Sequence, residues 1–265
     1  MHLSFTTMAT PDHTAAEAAA LGHKLGYTCI DLRVSDDRGE LSPQAGPGEV
    51  AALRRVLDAE GMTPAGLLCY NARQVDDAAG RAAMAEDIVR HLALAQALGS
   101  PSIRVFTSGT EGGAHPDRIP VAAEVIATAL ARYSGPERVL IQHHAGQLTA
   151  LEAVDVLEQV GDRRAGLILS PDHCLIMGED IAAVLPRVLP WVGQLYVADV
   201  RRTATGYDCT LPGEGEAPLD ESLQALTAAG FSGWVTFKWE KIWHPELPPA
   251  EVALPKFLGW VGAHL

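Results

Sequence analysis

Short apolar runs alternate along the chain with stretches of helical period. Residues 3–6, 29–34, 63–69, 102–107, 139–144, 165–170, 194–200 and 234–239 each read as a buried strand. Continuous aliphatic and β-branched runs of this length suit a sheet covered on both faces. Between them, helices are predicted over 13–25, 48–60, 82–99, 120–133, 149–160, 179–189, 219–229 and 249–263. Gly26 and Gly99 stand where a helix would stop, because glycine accepts the left-handed conformation of a C-terminal cap. Three longer loops interrupt the alternation: 35–48, 108–118 and 201–217. The second, SGTEGGAHPDR, is flexible in composition and can border a site; the third is rich in Arg, Gly and Thr.

Eight strands alternating with helices predict an α/β fold, a single (β/α)8 TIM barrel. An open doubly wound sheet would need a glycine-rich phosphate loop after its first strand. Here the first strand runs into TTMATPDH, which has no such fingerprint. Length agrees with the barrel: the chain has 265 residues, and one such barrel takes about 250. The expectation is one domain over 1–265.

Net charge is −13, which argues against nucleic acid as a partner, since phosphate binding needs a basic face. The chain contains no apolar stretch long enough for a membrane span, and its first residues lack the basic-then-apolar pattern of a signal peptide. Cys29, Cys69, Cys174 and Cys209 are widely spaced and form no CxxC pair. They are expected to be reduced thiols of a cytoplasmic protein.

Chemistry in such barrels collects at the C-terminal ends of the strands. The fifth run ends Gln142-His143-His144, the sixth Ser170-Pro171-Asp172-His173, the seventh Tyr196-Val197-Ala198-Asp199, and the eighth Lys238-Trp239-Glu240. Period-two alternation puts Trp234, Thr236, Lys238 and Glu240 on one face, toward the axis and mouth. It puts Val235, Phe237 and Trp239 under the outer helices. By the same parity His144 faces inward and His143 faces the helices, where a structural role is the simpler reading.

These strand ends, together with Gly213-Glu214-Gly215, resemble the xylose isomerase-like superfamily of sugar phosphate isomerases and epimerases, best over 138–247. In that family the corresponding ends carry Glu-Asn-His, Asp-x-x-His, His-x-Lys-Asp and Glu-x-Glu. His144, His173, Asp199 and Glu240 match. The four positions that bind the family's divalent metal carry Gln142, Ser170, Tyr196 and Lys238 instead. Three carboxylates are gone and one cation has appeared, so the resemblance implies the barrel without its metal, and no cofactor is expected. A hard cation wants oxygen or imidazole ligands and charge balance; an ammonium repels it.

The expected function is therefore a diverged, metal-independent isomerase or epimerase. It would act by proton transfer on a small polar carbonyl or hydroxy substrate; elimination or cyclisation also fits. Lys238, His144, His173 and Glu240 are the candidate catalytic residues; Gln142, Ser170, Asp172, Tyr196 and Arg201 are the candidate substrate contacts. The alternative is a barrel that binds a sugar-like or anionic ligand without turnover. Each residue also has a bland reading. Lys238 can simply neutralise Glu240 or another buried acid. Asp172 can cap a helix, or join His144 and His173 in a relocated metal site. Arg201 and Arg202 can be solvated loop cations, and Asp31 and Arg33 can ion-pair inside the barrel. The resemblance also allows a homodimer through barrel-edge loops.

Overall fold

The computed structural model describes residues 1–70, 75–106 and 117–264. Eight parallel strands close a barrel: β1 (His2–Thr6), β2 (Cys29–Val34), β3 (Thr63–Cys69), β4 (Ser102–Val105), β5 (Arg138–Gln142), β6 (Ala165–Leu169), β7 (Val192–Val197) and β10 (Trp234–Phe237). β10 pairs with β1 on one side and β7 on the other. The barrel order otherwise follows the chain.

Helices α1 (Ala15–Leu25), α2 (Pro47–Ala59), α3 (Ala78–Leu98), α4 (Arg118–Arg132), α5 (Ala150–Val160), α7 (Ile181–Val188), α8 (Leu219–Ala228) and α9 (Ala250–Gly262) follow the strands. Their boundaries have local causes. Thr14 and Glu17 form a reciprocal capping box that starts α1, and Gly26 at φ 97 ends it. Thr149 and Glu152 do the same for the start of α5. Each bond satisfies an N–H that the first helical turn leaves without a partner.

The main core lies between strands and helices, where Phe5, Phe237, Phe257 and Trp239 pack in contact. The parity assignment of Trp239 holds: its indole N–H donates to the Pro248 carbonyl at 2.9 Å. The barrel interior is partly polar. Ser4, Asp31, Gln194 and Thr236, from four strands, hydrogen-bond to one another there.

Two predicted boundaries need correction. The seventh run is not one strand to residue 200. β7 stops at Val197, and β8 (Asp199–Arg202) pairs antiparallel with β9 (Tyr207–Thr210). The stretch expected to be a loop over 201–217 is therefore half hairpin. A short helix, α6 (Pro171–Met177), also follows β6 directly. Residues 108–116 of the loop expected to border the site lie outside the described residues.

Candidate functional site

β10 ends at Phe237, but the ladder grips one residue more: the Lys238 N–H donates to the Val197 carbonyl at 2.8 Å. The side chain that follows is only 3% exposed. Its Nζ lies 3.0 Å from Asp172 Oδ2, 3.3 Å from His173 Nε2 and 3.3 Å from Glu240 Oε1. An ammonium has three N–H donors, so all three are engaged. Asp172 and His173 arrive from the first turn of α6, and Glu240 from the coil after β10. Burial pulls the Lys238 pKa down, yet the charges and hydrogen bonds of Asp172 and Glu240 outweigh it, and the net shift is upward. Lys238 is thus a fixed cation at neutral pH.

The histidines are kept neutral beside it. Burial, then the Lys238 charge and the neighbouring histidines, hold His173 well below the ordinary imidazole value. Burial and Lys238 also lower His144. The two rings meet at 4.0 Å between centroids. His144 Nδ1 lies 2.9 Å from the Ala145 carbonyl. A carbonyl only accepts, so Nδ1 carries the proton and Nε2 the lone pair. His143 is fully buried, its Nε2 accepts from the Ser170 N–H at 2.9 Å, and burial lowers its pKa to about 4. That is the structural place its parity suggested.

The four positions of the family's metal ligands do not fit a divalent ion. Gln142 Oε1 accepts from Arg104 Nη1 at 3.2 Å. The Tyr196 hydroxyl, wholly buried, is directed at Asp31 Oδ2, 3.5 Å away. Ser170 offers a neutral buried hydroxyl. The fourth position holds the Lys238 cation. The relocated trio does not form either, because Lys238 Nζ is the nearest partner of both Asp172 and His173, which sit 3.8 Å apart.

Arg104 and Asp31 are the groups that strand-end reading underused. Arg104 points inward from β4. It holds Gln142 and lies over the rings of Tyr70 (4.7 Å) and Phe106 (4.5 Å). Phe106 in turn meets His144 edge-on at 5.5 Å. An unbroken arc therefore runs around the mouth from Lys238 through His173, His144, Phe106 and Arg104 to Tyr70. The alternation Ser102, Arg104, Phe106 would have exposed it. Asp31 sits deeper, among Ser4, Gln194 and Tyr196; burial raises its pKa to about 7, against hydrogen bonds that lower it. Arg33 pairs with Glu40, from the loop after β2, at 3.0 Å, while Asp31 bonds Ser4 and Gln194, so the expected ion pairing of these two residues inside the barrel does not form.

Arg201 does not reach this group. It is exposed on β8 and donates to the Glu214 carbonyl, while Arg202 lies over Tyr207. Asp199 serves the fold. Its carboxylate accepts from the N–H groups of Val200, Gly213, Gly215 and Ala217, at 2.8 to 3.0 Å. A Cβ on Gly215 would lie 2.3 Å from Asp199 Oδ1, so glycine there is a requirement of the turn.

The family model of xylose isomerase-like TIM barrels matches residues 19–257. A curated Streptomyces coelicolor protein named "Putative hydroxypyruvate isomerase" is 27% identical over 121 residues, 45% of this chain and 40% of its own. The chain thus spans less than half the length of that relative. Among solved structures, D-psicose 3-epimerase in the presence of D-fructose superposes with a TM-score of 0.79 at 16% identity, covering 100% of this chain and 99% of that one. An IOLI protein with a binding zinc atom gives 0.79 at 19%, with coverage of 100% and 99%. D-allulose 3-epimerase from Methylomonas sp. gives 0.79 at 16%, with coverage of 100% and 97%. At these identities the structural likeness establishes the fold.

Proposed function

Because the chain belongs to the xylose isomerase-like TIM-barrel family, we propose that it is an isomerase or epimerase that moves a proton beside a carbonyl without a metal at the reacting carbon. The observation that carries the reading is the placement of Lys238: a buried cation stands where the family holds its divalent ion, and two neutral histidines stand beside it.

His144 Nε2 has a free lone pair and a half-buried position at the mouth, so it is the base that takes the proton from carbon. The carbon–hydrogen electron pair moves into the adjacent carbonyl, and the oxygen becomes anionic. Lys238 faces that oxygen and stabilises it with charge already in place. Glu240, with a side chain 27% exposed against 4% for Asp172, is the partner a substrate oxygen displaces from Nζ. For isomerisation, protonated His144 returns the proton to the neighbouring carbon on the same face while that carbon's hydroxyl proton passes to the first oxygen; for epimerisation, water on the face away from His144 gives the carbon its new proton. Asp172 stays paired and holds the ammonium in place.

The substrate class is a short hydroxy-carbonyl compound. Support comes from the polar, mixed-charge mouth and the names of the relatives. The competing reading, a ligand-binding barrel without turnover, draws on the fact that all three Lys238 donors are already engaged. One experiment separates them. Chelator-treated protein is assayed against hydroxypyruvate, D-fructose and D-psicose, with proton exchange from solvent as the readout. The expected result is turnover that survives chelation and falls about 100-fold in Lys238→Met. Turnover lost on chelation and restored by added Mn²⁺ or Mg²⁺ refutes metal independence. Binding without exchange favours the binding barrel.

A further inference from the structure

At the rim, three donors of different kinds converge from two separate segments. One ligand atom each of Cys209, Glu240 and His244 lies within 4.8 Å of the other two. Cys209 comes from β9 of the hairpin. Glu240 and His244 come from the turn after β10, where the His244 N–H donates to the Glu240 carbonyl at 3.1 Å. We propose that Cys209, Glu240 and His244 form a zinc-binding site that ties the β8–β9 hairpin to the strand-ten turn.

The donor set is one thiol, one imidazole and one carboxylate, which suits a borderline-soft ion such as Zn²⁺ and not Mg²⁺ or Ca²⁺. Zinc bonds of about 2.0–2.3 Å space tetrahedral ligands about 3.3–3.8 Å apart. The three atoms therefore need to close by at most about 1.5 Å, within reach of side-chain rotation on a partly exposed rim.

Two of the three ligands already have the outer partners that metal ligands need. Glu246 Oε1 lies 3.3 Å from His244 Nδ1, which fixes the proton there and leaves Nε2 as the donor. Lys238 holds one oxygen of Glu240 and leaves the other to the ion.

The local charge points the same way. Lys238 offsets only one of the two carboxylates it touches, so the cluster keeps one negative charge. Burial, and then Glu240, raises the Cys209 thiol to about 11, with Asp172 and Glu246 adding to the rise. Binding replaces the thiol proton with the ion and releases one proton to solvent. With the Cys209 thiolate, the Glu240 and Asp172 carboxylates and the Lys238 ammonium, a 2+ ion brings the group to charge balance. Three protein ligands leave a fourth position for water.

None of the four positions that hold the family's metal takes part. The other convergent trio among the described residues, His143, Cys174 and Glu179, is less suited, because both Glu179 oxygens already accept from the start of α5.

The test uses metal-stripped full-length protein titrated with Zn²⁺ and, as a spectroscopic probe, Co²⁺. One Co²⁺ per chain is expected, with a near-ultraviolet thiolate-to-cobalt band and release of one proton. Cys209→Ser should lose the band, and His244→Ala should weaken binding at least ten-fold. Glu246→Gln should weaken it about ten-fold. Cys29→Ser, at a buried thiol remote from the rim, should change nothing. A wild-type protein with no thiolate band, or a Cys209→Ser variant with unaltered affinity and spectrum, overturns the site. The outcome is independent of the proton-transfer reading: turnover of stripped protein tests that reading, and the cobalt spectrum tests this one.

Discussion

Lys238→Met removes the cation that touches both Asp172 and Glu240. Asp172 is the one stranded, because its side chain is 4% exposed and one of its oxygens already lacks a partner. Glu240 can turn toward solvent. Breaking a buried pair by removing one partner costs about 3–5 kcal/mol, or roughly 10 °C in Tm for a chain of this size. The sign with pH follows from the stranded acid. In the variant, the cost is that of a buried carboxylate left without its cation, so it is small in acid, where a carboxyl group is neutral, and grows as pH rises. The wild-type Lys238 shift is upward, so its contribution is present below about pH 10 and fades only above that. Urea unfolding of wild type and variant across this range is the assay, with Asp172→Asn and the double variant closing a thermodynamic cycle. The double variant should recover most of the loss. A deficit under about 0.5 kcal/mol at neutral pH, or one that does not shrink in acid, refutes the pairing argument.

Other consequences can be tested in the same way. Asp31 is raised by burial to about 7, so stability should fall as pH rises from about 4 to 7, by up to roughly 4 kcal/mol. Asp31→Asn should flatten that slope, and an unchanged slope in unfolding curves would assign it elsewhere. Gly215→Ala drives a Cβ into Asp199 and should cost about 2–3 kcal/mol, read by thermal melting; a neutral effect would mean that the Asp199 turn is plastic. Arg104→Lys keeps the charge but loses the planar group between Tyr70 and Phe106. It should weaken ligand binding by about ten-fold while moving stability by under about 1 kcal/mol, measured by calorimetry on the ligand identified in the turnover assay.

The barrel was legible in the sequence because its signals are local. CIDLRV and TPAGLLC match β2 and β3 residue for residue, and Gly26 and Gly99 end helices by adopting positive φ. The hairpin was not. Its strands are four residues each, mostly polar and partly exposed, so neither periodicity nor an apolar run marks them. The bonds that fix it run from Asp199 to residues up to 18 positions away. At the site, parity correctly placed Lys238, His143 and His144. It did not reveal that Lys238 would meet Asp172, because that contact depends on α6, a seven-residue helix with no clear period of its own. Nor did it find the cation–ring contacts of Arg104, which need three strands to be in register.

The Asp199 turn changes what the family likeness can be taken to mean. A carboxylate that gathers four N–H groups of its own backbone is occupied by architecture, and so is the glycine pressed against it. Selection for a foldable barrel keeps both, whatever happens to the chemistry above. Their presence therefore reports descent and not turnover. The case for activity rests on side chains at the mouth, His144 foremost, whose replacement would leave the barrel's own backbone bonds intact.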